Sequence, residues 1–517
     1  ELISLLEDTQ GTGWLPNELV NPSYNQPLSN NIGLIFDQEG KLIWRSLSSY
    51  RYEFKFHPVF YNLNRRFYHE KIEGDGFFVY ELSVKLALGD TIKDYTLMTM
   101  YQDKDYQRDA SQFSTIVLLW MTGGPSHIDT WDPKPDRPYI NRGPFSPIST
   151  ALPGTIVCEH LPKQAAMMDK FTVIRSVDPR TSSHQPNQVM QTGSLEAAPR
   201  TNPKGDRYPA IASICAKHRG ANHPAMPPYV AFMKHQSHLA WGGWLGKQYD
   251  PFIGNKAAVL PEYNLLGKPL NRTSGADLFQ LPGSLNVDRL TNRRALMQDL
   301  DRIRSGLDQS GSMEALDQYG EQAFDMVLGK RAQRAFDISA EPQQNRDRYG
   351  SHLWCQQTLL ARRLVEAGVS FVTLDLSYHT ASGTWDNHGI PGGVYGGITK
   401  GLKPLLPLFD HILTTLVSDL DERGLLDEVL IIAMGEFGRT PNMGTQDSED
   451  GRNHWPVIMS MTMAGGGLRH GQVIGASSHD GGTIKDRPVT PGDLAATIYK
   501  HMGVPLDGTY DDDRGRP

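Results

Sequence analysis

The 517-residue sequence has only three cysteines, no long apolar run and no excess of positive charge. Three cysteines, none in a C-x-x-C pair, are too few for a disulfide scaffold, and each is expected to be a buried apolar side chain. The longest apolar run, 116–121, is far shorter than the ~20 residues that span a bilayer. A net charge of −7 argues against a general nucleic-acid binder. We therefore expect a globular chain with no membrane span and no nucleic-acid partner.

The composition changes near residue 112. The first 112 residues hold 16 Asp and Glu against 11 Lys and Arg, with 18 of the 47 aromatic residues, two of the 17 histidines and no cysteine. The remainder is rich in glycine and histidine, which is typical of loops and polar sites. This contrast predicts two units, 1–112 and 113–517.

The first unit is predicted to be a small α+β domain built around a sheet. Residues 33–36 and 41–45 form a hairpin around the turn 37–40, and 76–88 and 94–103 alternate like half-buried strands, after a short N-terminal helix. Its "IFDQEGKLIWRS" and "YTLMTMYQDKDYQRDASQF" segments resemble the periplasmic sensor domain of PhoQ-type histidine kinases. That resemblance implies a PAS-like sensor domain. An accessory sheet domain without signalling is the alternative.

The second unit is predicted to be an α/β domain. Continuous apolar runs at 115–120, 369–376, 428–434 and 457–463 read as buried strands, and 349–367 and 401–423 have helical spacing. Alternation of strands and helices favours a parallel sheet with helices on its faces. The less regular stretch from about 195 to 345 is predicted to be a loop-rich insertion or cap.

Carboxylates and imidazoles follow the predicted strands, where ligands of such sheets gather. Together they form a ligand set suited to Zn, Mn, Mg or Ca: Asp129, Asp386, His388, Glu436 and His454. The D-x-H spacing places two donors on one face of an extended segment. The alternative is that these side chains cap loops and bind backbone groups.

The same segments carry a second resemblance. The motifs "LLWMTGGPSHIDTWDPKPD", "CEHLPKQAAMMDKFTVIRSV", "TWDNHG", "MGEFGRTP" and "GRNHWP" resemble the domain of unknown function 1501 family, which is sulfatase-like and related to the alkaline phosphatase superfamily. The resemblance implies an alkaline-phosphatase-like, doubly wound, mostly parallel sheet and a metal-centred hydrolase site. It also implies a periplasmic or cell-envelope protein, whose leader is not in this chain.

The superfamily's site residues have counterparts along this chain. The acid after the first strand corresponds to Asp129, with His127 as a rival, and the later ligands correspond to Asp386, His388, Glu436 and His454. The nucleophile ahead of the Thr192-Gly193 helix end corresponds to Ser183, which competes with Thr181, Ser182 and His184 and with a role as helix N-cap.

Two positions depart from the superfamily pattern. Its Asp-His pair is Glu436-Phe437 here, and the C-x-P-x-R signature of sulfatases is missing from the sequence. These departures argue against a formylglycine-dependent sulfatase and against a full two-metal site.

The predicted function is metal-dependent hydrolysis of phosphate or sulfate esters, on an envelope glycan or a small anionic ester. Arg439 is predicted to hold the anionic ester, with a brace for its own loop as the alternative. A non-catalytic binding protein on a degenerate sulfatase-like scaffold and a sensor dominated by the first unit are the competing hypotheses. No oligomeric state is predicted.

Overall fold

A computed structural model describes residues 31–37, 39, 41–46, 65–72, 75–88, 91–102, 115–180, 186–197, 207–275, 330–380, 383–389, 396–445 and 448–508. The chain divides into two compact units, Glu1–Gln112 and Phe113–Pro517. No helix among the described residues is both long enough and apolar enough to cross a membrane.

The first unit contains a five-stranded antiparallel sheet in the order β2-β1-β5-β4-β3. Its strands are β1 (Asn31–Phe36), β2 (Leu42–Arg45), β3 (Arg65–Ile72), β4 (Asp75–Leu88) and β5 (Thr91–Gln102). The predicted hairpin and both long strands are confirmed. The Asp37 carboxylate closes the hairpin turn, because it accepts hydrogen bonds from the Glu39 and Lys41 amides at 3.0 and 2.8 Å. The predicted N-terminal helix lies outside the described residues.

The second unit is built on an eight-stranded sheet in the order β11-β10-β14-β6-β15-β18-β9-β19. Strand β18 runs antiparallel to both its neighbours, and the other neighbouring pairs are parallel. The sheet is therefore mostly parallel, as predicted. The strands of this unit are β6 (Thr115–Trp120), β7 (Pro147–Ser149), β8 (Ile156–Cys158), β9 (Phe171–Val177), β10 (Tyr229–Phe232), β11 (Phe252–Ile253), β12 (Leu260–Tyr263), β13 (Pro269–Ser274), β14 (Phe371–Asp375), β15 (Val429–Met434), β16 (Gly438–Arg439), β17 (His454–Trp455), β18 (Met459–Gly465), β19 (Gln472–Ile474), β20 (Ala476–Ser477) and β21 (Ile484–Asp486).

Helices cover both faces of this sheet. They are α1 (Tyr139–Arg142), α2 (Pro162–Ala166), α3 (Pro186–Thr192), α4 (Ile211–Arg219), α5 (Lys330–Phe336), α6 (Gln343–Tyr349), α7 (Leu353–Ala367), α8 (Lys403–Glu422) and α9 (Pro491–His501). Alternate residues of a strand point to opposite faces. In β6, Val117 and Leu119 join the core that contains α7 and α8, while Ile116 and Trp120 join the core that contains α4 and α9.

The stretch 195–345, predicted to be a loop-rich insertion or cap, also contributes to the main sheet. The four core strands lie within two residues of their predicted ends, but the stretch 195–345 is not simply an insertion. Strand β10 from that stretch pairs in parallel with β14 and is second from the β11 edge of the eight-stranded sheet, and α4 packs on the sheet. A four-residue strand is too short to give a periodic signal between proline-rich loops, so the sequence pattern did not reveal it.

Candidate metal centre

Three predicted ligands meet beyond the carboxyl ends of β6, β14 and β15. Asp386 and His388 lie in the loop after β14, and His454 begins β17. Asp386 Oδ1 is 2.8 Å from His388 Nε2 and 3.1 Å from His454 Nε2, and the two imidazole nitrogens are 2.9 Å apart. One ligand atom from each residue lies within 4.8 Å of the others, so this group could hold a metal ion.

The short strand pair β16–β17 brings His454 to this position. Arg439 and His454 are cross-strand partners, and the rings of Phe437 and His388 lie 4.8 and 4.7 Å from the His454 ring. Cross-strand partners are neighbours on one face of a sheet. The pairing therefore places the His454 imidazole beside His388, although the two residues are 66 positions apart in the sequence.

Arg439 is fully buried and bound to protein groups. Its Nη2 donates to Asp386 Oδ1 at 2.6 Å and to the Gly123 carbonyl, and its Nε donates to the Gly124 carbonyl at 2.8 Å. A guanidinium enclosed in this way holds loops together. Here Arg439 fixes Asp386, and its role in binding the ester stays a prediction.

Glu436 lies close to the cluster without being part of it. Both of its carboxylate oxygens accept the Gly123 amide, at 2.9 and 3.0 Å. Gly123 has φ +115°, and a Cβ atom there would lie 2.4 Å from the Asp386 nitrogen. The turn after β6 therefore passes between Glu436 and Asp386, and only glycine allows that approach.

Asp129 is not a member of the group formed by Asp386, His388 and His454, and its role as a ligand stays a prediction. Its Oδ2 pairs with Arg452 Nε at 2.7 Å, and both side chains are fully buried. Arg452 lies two residues before His454, so the pair anchors the segment that carries that ligand. The rival His127 binds the Gly481 carbonyl through Nε2 at 2.7 Å, and burial lowers the pKa of its imidazole.

The predicted nucleophile Ser183 and its rivals Thr181, Ser182 and His184 lie outside the described residues. The helix they precede, α3, is described from Pro186.

A second polar pair at the same edge of the sheet escaped the sequence interpretation. Asp375, the last residue of β14, accepts His238 Nδ1 at 2.7 Å, Thr122 Oγ1 at 2.5 Å and the Lys234 amide at 2.9 Å. Burial lowers the pKa of the nearby His379 imidazole, which also experiences the Asp386 and His238 charges. The sequence feature that could have indicated this pair is an aspartate at the last position of an apolar strand.

The donor types indicate which ions fit. Two imidazole nitrogens and one carboxylate oxygen suit Zn better than Ca, Mg or Mn, which favour oxygen ligands. Three protein ligands are also the number that catalytic zinc sites use, leaving one position for a substrate. Side-chain exposure is 2% for Asp386, 9% for His388 and 18% for His454, so solvent reaches the group from the His454 side.

Comparison with known proteins gives a family for most of the chain. Residues 114–517 match the family described as "Protein of unknown function (DUF1501)". The two-component sensor PhoQ of Pseudomonas aeruginosa is 26% identical over 123 residues, which is 24% of this chain. The chain spans 27% of the length of PhoQ. Both predicted resemblances are confirmed.

Several solved structures are similar to the chain at low TM-scores. A sulfatase from Pseudoalteromonas sp. is 10% identical, with a TM-score of 0.36 and coverage of 78% of this chain and 70% of that one. The lipoteichoic acid synthase LtaP of Listeria monocytogenes is 9% identical, with a TM-score of 0.33 and coverage of 77% and 74%. A phosphonate monoester hydrolase from Silicibacter pomeroyi is 12% identical, with a TM-score of 0.28 and coverage of 75% and 72%.

Proposed function

The chain belongs to the DUF1501 family of proteins of unknown function, and from its strand-end site we propose that it is a metal-dependent hydrolase of phosphate or sulfate esters. The convergence of Asp386, His388 and His454 within 4.8 Å carries this proposal. The substrate is an anionic ester, either a small molecule or part of an envelope glycan. A periplasmic or envelope location belongs to the same proposal.

The fit to a divalent ion rests on the donor set and its surroundings. Asp386, His388 and His454 would hold the ion, and Zn matches their nitrogen-rich chemistry. When bound, such an ion supplies Lewis acidity toward an ester oxygen. With one carboxylate among the ligands, a divalent ion leaves about one net positive charge, which attracts an anionic ester.

The chain's own residues prepare this site. Arg439 holds Asp386 Oδ1 at 2.6 Å, and Phe437 packs on the His454 ring. The Asp375 carboxylate orients the buried His238 imidazole through Nδ1 at 2.7 Å. The nucleophile stays a prediction, with Ser183 as the candidate.

Metal analysis of the purified full chain tests the proposal. The parent should contain about one Zn ion per chain, and Asp386→Ala plus His388→Ala should lose it. The matched control is Asp421→Ala plus His479→Ala, which removes an exposed carboxylate and an exposed imidazole elsewhere. Equal metal content in the two double variants would show that the ion binds elsewhere.

Hydrolysis is then measured with 4-nitrophenyl phosphate and 4-nitrophenyl sulfate on the metal-loaded parent. Turnover that disappears in the ligand variant and persists in the control supports the hydrolase. A metal-loaded parent that hydrolyses neither ester would shift the assignment to the binding-protein alternative.

A further inference from the structure

A cavity of about 320 Å³ opens beside the end of β14, next to the β12–β13 hairpin. Its lining includes Lys234, Gln357 and Asp375, with Tyr263 and Tyr378 on the aromatic side. This volume is at the lower end of the range for small-molecule sites. The cavity therefore suits one ring better than an extended chain.

Gln357 gives the cavity an unsatisfied acceptor. The residue is only 2% exposed, and its Oε1 has no hydrogen-bond partner in the described part of the chain. Leaving a buried acceptor unsatisfied costs ~1–3 kcal/mol. A ligand hydroxyl would remove that cost, because a hydroxyl both donates and accepts and so satisfies either atom of the amide.

The charges around the cavity leave one cation available. Glu262 is paired with Arg272 at 2.5 Å, and Asp375 already accepts from His238, Thr122 and a backbone amide. Across the described ranges, the Lys234 ammonium forms no salt bridge within 4 Å, and its charge acts on Glu262, whose pKa is lowered chiefly by Arg272. A ligand with one anionic group would complement it.

The aromatic side of the cavity ends a stack of rings. The Tyr378 ring lies between the rings of Trp354 and Tyr263. Its centroid is 4.7 Å from that of Trp354 and 5.7 Å from that of Tyr263, with interplanar angles of 12° and 23°. Tyr263 is half-buried and forms the end of the stack at the cavity. An aromatic ring with polar groups beside it suits the apolar face of a sugar ring.

We infer that this cavity is a subsite for a single pyranose ring with one anionic substituent, which bonds a hydroxyl to Gln357 and its anionic group to Lys234. The inference that the cavity binds a sugar ring does not require the protein to be a hydrolase. The claim that this sugar carries the hydrolysed ester rests on the proposed function.

Calorimetric titration of the full chain with methyl glucuronoside tests the inference, with neutral methyl glucoside as the uncharged probe. Lys234→Met should weaken glucuronoside binding about tenfold and glucoside binding little, since a charged hydrogen bond contributes ~1.5 kcal/mol. Gln357→Leu should weaken both about fivefold, whereas Gln356→Leu on the same helix should change neither. Equal binding of the two probes, or unchanged affinity in Gln357→Leu, would overturn the assignment.

Two further measurements distinguish a sugar subsite from a purely structural Gln357 and from sugar binding at the metal ligands. Without ligand, Gln357→Leu should unfold at the same or a higher denaturant concentration, because the unsatisfied acceptor is gone; strong destabilisation would indicate a structural role and count against the subsite. The Asp386→Ala plus His388→Ala variant should bind glucuronoside like the parent. Loss of sugar binding there would place the sugar at the metal ligands and refute the cavity assignment.

Discussion

Breaking the buried pair between Asp129 and Arg452 should destabilise the second unit strongly. Both side chains are fully buried, and Arg452 Nε lies 2.7 Å from Asp129 Oδ2. Removing one partner of a buried ion pair leaves an uncompensated charge and typically costs ~3–5 kcal/mol. The substitutions are Arg452→Met and Asp129→Asn, which keep the approximate side-chain size.

The two substitutions should lower the free energy of unfolding by different amounts, because Arg452 makes more contacts than Asp129. The Arg452 guanidinium also donates to the carbonyls of Asn141, Thr440 and Pro441, at 2.7, 2.9 and 2.7 Å. Arg452→Met leaves all three carbonyls without that donor as well as the buried carboxylate. It should therefore cost about 5 kcal/mol, and Asp129→Asn about 3 kcal/mol.

Urea unfolding followed by tryptophan fluorescence measures these losses. With a slope of roughly 3 kcal/mol per molar, they correspond to midpoint shifts of about 1.7 and 1 M. The double variant should lose about 2 kcal/mol less than the sum of the single variants, because it leaves no unpaired charge. Asp421→Ala, which breaks an exposed pair with Lys170, is the control and should cost at most ~1 kcal/mol.

Metal binding by the same variants decides between a structural and a ligating Asp129. If Asp129 only anchors the His454 segment, Asp129→Asn and Arg452→Met should weaken metal affinity together. Additive stability losses in the double variant would refute the coupling between the two side chains. Loss of the ion in Asp129→Asn, with an unchanged urea midpoint and with normal metal binding in Arg452→Met, would show that Asp129 is a ligand.

The other predictions concern a turn, a carboxyl group and the first unit. In a metal titration, Gly123→Ala should weaken metal binding at least tenfold, since its Cβ would lie 2.4 Å from the Asp386 nitrogen. The control is Gly154→Ala, which also has a positive φ (+75°) but has open space around its Cβ, and it should leave metal binding unchanged. Burial raises the pKa of Asp410 to about 6. Because the folded state therefore holds this proton more tightly than the unfolded state, the free energy of unfolding should fall by at most about 3 kcal/mol between pH 4 and pH 7. Denaturation measured across that range should not show this fall in Asp410→Asn. Deleting 1–112 should leave metal content and ester hydrolysis unchanged, and loss of both would favour the sensor hypothesis.

Much of the fold could be predicted because its signals are local. The strands β6, β14 and β15 are continuous apolar runs that end at polar or glycine-containing turns, and such runs identify buried parallel strands. Strand β10 was missed because its four residues carry no period. The D-x-H spacing of Asp386 and His388 could also be read directly, since both donors lie in one loop.

The remaining parts of the site depended on distant residues. Asp129 and Arg452 are 323 positions apart, and nothing near either residue indicates their pairing. The contact between Glu436 and the Gly123 amide spans 313 positions. Asp375 and His238 likewise meet only because β14 and β10 are adjacent in the sheet.

By itself, the sequence determined the two units, the α/β class of the second one, and a set of carboxylates and imidazoles at the strand ends. Local periodicity and glycine turns suffice for these, because they depend on neighbouring residues. Only the tertiary structure decided that Asp386, His388 and His454 form the cluster, while Asp129 pairs with Arg452 and Arg439 pairs with Asp386. A buried charge must find a partner in space, and which partner it finds depends on how the whole chain folds.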